Sequence, residues 1–85
     1  MQKFLYHVSP KENTESILEQ GLIRKGFAVY CSEKPDSWWQ PGLTIFKIDI
    51  SNIKHEMTTF LPESDEILIW GNIQPEFISI YSEED

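Results

Sequence analysis

A single cysteine, Cys31, stands among these 85 residues. One thiol excludes an internal disulfide framework and the thiolate cluster of a structural zinc site, and it fits a reducing, cytoplasmic setting. Basic residues are scarce as well: seven Lys and Arg face fourteen Asp and Glu, for a net charge of −7. Phosphate contacts need Lys or Arg, and no cluster beyond Arg24–Lys25 supplies them. Broad binding to duplex DNA or RNA is therefore disfavoured, and only a narrow channel for a single strand stays open. No apolar run approaches the roughly 20 residues of a membrane span. The opening "MQKFLYHVSP" lacks the apolar region of a signal peptide. A soluble chain with no membrane partner is expected. His7 and His55 have no metal-ligand spacing with the scattered carboxylates, so no metal is expected. Repeats and linkers are absent too. Residues 1–85 read as a single domain, with a frayed acidic tail at 82–85.

What is present suffices for a core: 40% hydrophobic residues, with 13% aromatic. Residues 3–7 read as a strand. In "SPKE", Ser9 suits an N-cap, Pro10 the first helical position and Glu12 the return contact of a capping box, giving a helix from Pro10 to about Gln20. Gly21 would close it, and Ile17, Leu18 and Leu22 would be its apolar stripe. "FAVYCS" (27–32) reads as a strand, and Asp36–Trp39 as one helical turn stopped by Pro41–Gly42. "LTIFKIDI" (43–50) alternates strongly, with Phe46, Ile48 and Ile50 on one face and Lys47 and Asp49 on the other. "MTTFL", "EILIW" (66–70) and "FISIYS" (77–82) are further strands. The expected class is α+β: a small split sheet, mixed or antiparallel, covered by one main helix.

Three residues could carry chemistry: His7 at a strand end, Tyr30 within "AVYCS", and Glu66 opening "EILIW". Each also has an ordinary explanation. His7 can be a satisfied structural histidine, Tyr30 a core tyrosine and Glu66 an exposed strand-end charge. Cys31 has no base nearby in sequence and reads as a small buried hydrophobe.

Taken in order, the segments resemble a known constellation. "YHVSPKENTESILEQGL" is similar to the opening strand–helix unit of the ADP-ribosyltransferase superfamily, in which an aromatic–His pair precedes a capped helix. "AVYCSEKPDSWW" resembles its second motif, a strand tyrosine followed by a further aromatic. "LTIFKIDI" and then "DEILIWGNIQPEFI" resemble its third block, in which an acidic residue opens a strand leading to an "I-x-P-E-(Y/F)-I" turn. The order His, Tyr, Glu matches the branch that holds diphtheria-toxin-like enzymes, poly(ADP-ribose) polymerases, DarT-type toxins and tRNA 2′-phosphotransferases.

The resemblance implies a minimal core that binds NAD as co-substrate between the halves of a split sheet. It implies that His7 holds the adenosine ribose and that Tyr30 stacks on nicotinamide, with Trp38 or Trp39 as a second wall. Glu66, or its neighbour Asp65, would bind the nicotinamide ribose and stabilise the charge that forms there. Val8 stands where many relatives have glycine; with Ser9 and Ser32 it completes the implied NAD contacts. The implied activity is transfer of ADP-ribose to a protein or small-molecule acceptor with release of nicotinamide. The alternative is a non-catalytic module that binds NAD, ADP-ribose or a basic protein through its acidic surface and the Trp38–Trp39 pair.

Overall fold

The strand with the clearest alternation organises the molecule. In the computed structural model, which describes residues 3–23, 28–35, 39–53, 58–61, 63 and 66–82, Phe46 and Ile48 of β3 (Leu43–Asp49) are fully buried. β3 lies at the centre of a three-stranded sheet, between β1 (Phe4–Pro10) and β6 (Ile78–Ile80). A second three-stranded sheet has β5 (Glu66–Ile69) between β2 (Val29–Cys31) and β4 (Thr58–Leu61). Every one of these pairings is antiparallel. With α1 (Thr14–Gln20), the single α-helix among the described residues, this is a small α+β fold.

One core serves both sheets. Leu5, Phe46, Ile48 and Ile78 come from the first, Val29, Cys31 and Ile69 from the second, and Ile17 reaches in from α1. Each such side chain contributes roughly 1.5–3 kcal/mol on leaving water. Seven residues are too few for a helix that stands alone. Ile17 docks α1 on the core, and the Thr14 and Thr44 hydroxyls meet at 2.9 Å. Leu18, expected on the same stripe, is 39% exposed.

The helix begins later than its capping signature suggests. Ser9 and Pro10 belong to β1, opposite Thr44 and Leu43, and the Lys11 N–H donates to the Gly42 carbonyl. Pairing with β3 thus takes the residues that would have capped the helix, and local preference loses to the ladder. A 3-10 turn over Lys11–Asn13 follows, and Asn13 precedes α1 with no side-chain cap. Gly21 does end the helix, at φ 87° and ψ −176°, with its N–H on the Ile17 carbonyl. Leu22 and Ile73 then exchange both backbone bonds, at 2.9 and 2.8 Å. Of "FISIYS", Phe77 ends a 3-10 turn (Pro75–Phe77) and Ile78–Ile80 form β6. Of the helical turn expected at Asp36–Trp39, residues 36–38 lie outside the described residues, and Trp39 is in irregular structure.

Candidate functional site

The two sheets meet where β1 passes β2. Tyr6 and Ser32 exchange both backbone bonds, at 2.9 and 2.8 Å, and among the described residues no other ladder pair joins these strands. Past that pair the strands part. His7 spans the opening with its side chain: Nδ1 donates to the Tyr30 carbonyl at 2.7 Å. A carbonyl only accepts, so Nδ1 carries the proton of this bond. The alternation of the β1–β3 ladder turns the Val8 N–H and C=O the same way as those of Tyr6, toward β2.

The third candidate arrives from β5. Cys31 pairs with Ile67, so Glu66 at the head of β5 lies beside the end of β2. A groove of about 230 Å³ results, lined by Tyr6, His7, Val8, Tyr30, Cys31 and Glu66. His7, Tyr30 and Glu66, from three different strands, therefore share one groove. Tyr30 is 44% exposed and offers its ring to this space, not to the core. Glu66 is half-buried. Cys31 is buried, and loss of hydration pushes its thiol up to about 12, so it stays protonated and is no nucleophile at neutral pH.

A second hollow of about 290 Å³ adjoins the first and shares His7, Val8 and Tyr30 with it. Its far wall is a polar stripe of the helical segment, Asn13, Ser16 and Gln20, and its floor includes Ile17, Leu22 and Val29. Among the described residues that line the two hollows, Glu66 is the single Asp, Glu, Lys or Arg. In a chain of net charge −7, the described residues lining the larger hollow include no Asp, Glu, Lys or Arg.

The remaining expected contacts divide. Val8 lines both hollows and Ser9 the larger one, where the Asn13 amide reaches its hydroxyl at 3.5 Å. Ser32 is buried and its hydroxyl donates to the Lys34 carbonyl, which makes it a structural residue of the strand junction. Trp39 lines neither hollow; its indole N–H donates to the Leu43 carbonyl at 3.0 Å. Trp38 and Asp65 lie outside the described residues. Among those described, no group of three or more His, Cys, Asp or Glu could hold a metal ion, and no helix is long and apolar enough to cross a membrane.

Sequence reasoning passed over Tyr6 and the Asn13–Ser16–Gln20 stripe. The stripe had a signal, since residues three and seven apart share a helix face. The place of Tyr6 follows from its pairing with Ser32, which is long-range and leaves no local trace. No protein-family model and no curated protein sequence matches the chain.

Proposed function

We propose that this chain is an NAD-dependent mono-ADP-ribosyltransferase acting in the cytoplasm on a protein or small-molecule acceptor. The observation that carries this reading is the convergence of His7, Tyr30 and Glu66 on one groove at the parting of two sheets. The joined hollows favour a ligand of two parts. Ligand pockets run to roughly 300–1,000 Å³, and the adjoining hollows of about 290 and 230 Å³ together lie within that range. A dinucleotide would occupy both.

The residues fit such a ligand. Tyr30 presents an aromatic face, on which the pyridinium ring of nicotinamide stacks favourably. Valine at position 8 leaves the strand's hydrogen-bonding groups usable, because a pleated strand sends side chains above and below while N–H and C=O stay in the plane. The Val8 N–H and C=O therefore suit a carboxamide. His7, oriented by its bond to the Tyr30 carbonyl, stands where a ribose hydroxyl would bind. Asn13, Ser16 and Gln20 supply further hydroxyl and amide partners, and the apolar floor takes a base.

Glu66 then has the chemical task. As the bond between C1′ and the nicotinamide nitrogen breaks, its electron pair leaves with nicotinamide and positive charge grows on the ribose. A half-buried carboxylate beside that ribose stabilises the charge where it develops. The acceptor's nucleophile bonds to C1′ and its proton passes to Glu66 or to water.

Isothermal calorimetry with NAD, combined with chromatographic measurement of nicotinamide release, tests the proposal. Wild type binds NAD and releases nicotinamide. His7→Ala loses the binding, and Glu66→Gln keeps it while release falls roughly 10²–10³-fold. Binding with no release in wild type would make the domain a sensor of NAD or ADP-ribose. No binding would end the NAD reading.

A further inference from the structure

Among the described residues, two strands close the sheets on their outer sides, β4 in one and β6 in the other. The direction of the β4 edge follows from the ladder. Ser32 turns its N–H and C=O to β1, and so, two residues back, does Tyr30. Val29 and Cys31 are therefore bonded to Ile69 and Ile67, while Leu68 and Glu66 turn to Thr59 and Leu61. Phe60 is left with its N–H and C=O directed away from the sheet. Its ring is 52% exposed, and Leu61, on the opposite face, is 38% exposed. β6 is a poorer edge: it has three residues, and the Ile78 N–H is taken by the Pro75 carbonyl.

Charge selects what such an edge accepts. Every Lys and Arg lies at or before Lys54; positions 55–85, which supply β4, β5 and β6, hold eight Asp and Glu and no Lys or Arg. Exposed edges are commonly guarded by lysine, and this one is not. Two copies pairing through β4 would bring like charges together, which opposes association. We propose that the β4 edge takes up, by strand addition, an extended lysine- or arginine-bearing segment of a protein partner. Main-chain bonds form at Phe60, the Phe60 and Leu61 side chains grip the two faces of the added strand, and its cations meet Glu63 just past the strand. The inference holds whether or not the groove takes NAD.

The probe is a short end-capped peptide alternating lysine with valine, with a glutamate–valine peptide as control. Amide shifts and hydrogen exchange of the isotope-labelled full chain are followed by NMR. The lysine peptide should protect the Phe60 N–H roughly tenfold or more, with an affinity that falls as salt is added. Phe60→Lys, at an exposed position that tolerates it, should weaken binding roughly tenfold with an unchanged urea midpoint; Glu63→Lys should weaken it severalfold. Four outcomes would overturn the proposal: no binding, equal binding of both peptides, shifts confined to residues 82–85 or to the groove, or a β4-paired homodimer in sedimentation.

Discussion

Replacing Gly21 by alanine is the most severe single-atom change that the fold predicts. Gly21 has φ 87° and ψ −176°, a region open in practice to glycine alone, where another residue costs about 1–3 kcal/mol. A Cβ there would also run into the Ile73 carbonyl oxygen, with the Pro75 ring 3.1 Å away. That oxygen accepts the Leu22 N–H, so moving it aside breaks the Leu22–Ile73 pair, two bonds worth about 0.5–1.5 kcal/mol each. The loss should total about 2–6 kcal/mol, a large part of the roughly 4–13 kcal/mol expected for a chain of this length. At about 4–8 °C per kcal/mol, Tm should fall by roughly 10 °C or more. Gly42 is the control. Its φ is also positive, at 95°, but nothing lies within 4 Å of an added Cβ, so Gly42→Ala should cost only about 1–2 kcal/mol. Urea unfolding followed by tryptophan fluorescence measures both. Equal losses in the two variants, or a loss below about 1 kcal/mol at Gly21, would refute the reasoning.

Other expectations follow from the same geometry. Cys31, with its thiol raised by burial from 9.0 to about 12, stabilises the fold below about pH 9, and that contribution is lost as pH rises toward 12. The difference between wild type and Cys31→Ala should show this fall, and native protein should resist iodoacetamide that labels it in urea; ready labelling of the native chain would contradict it. Asp49 is held below the ordinary carboxylate range by donation from the Ser51 hydroxyl and then from the Ser51 N–H. A depressed carboxylate stabilises above its ordinary pKa and loses that contribution as pH falls through the folded value. Ser51→Ala should raise the Asp49 titration midpoint seen by carboxyl NMR, and an unmoved midpoint would count against the contact. Trp39→Phe removes the indole donor to Leu43 and should cost about 0.5–1.5 kcal/mol while leaving NAD affinity unchanged. Weaker NAD binding in that variant would return Trp39 to the groove.

Period-two alternation found β3 and its buried pair, and the glycine at 21 marked where α1 stops. Ser9 and Pro10 show why the helix start was misplaced. Their capping chemistry is local, whereas the competing partners, Thr44 and Leu43, sit some thirty residues away in sequence, out of reach of any short window. The groove divides along the same line. His7, Tyr30 and Glu66 were legible as unusual residues at strand positions, but the pairings that assemble them, Tyr6 with Ser32 and Cys31 with Ile67, are long-range. Trp39 shows another limit: the resemblance implied Trp38 or Trp39 as a second wall, while the bond of Trp39 to Leu43 ties it to the start of β3.

The two sheets are threaded through one another along the chain. One draws on residues 4–10, 43–49 and 78–80, the other on 29–31, 58–61 and 66–69, so their strands interleave. The first sheet spans nearly the whole described chain and encloses all three strands of the second, so no cut leaves the first sheet whole. Loops spanning tens of residues must close before the central ladders exist, which places folding on the slow side for a chain this short, in milliseconds to seconds. The cleft therefore depends on long-range closure, since β1, β2 and β5, which line it, lie tens of residues apart in sequence.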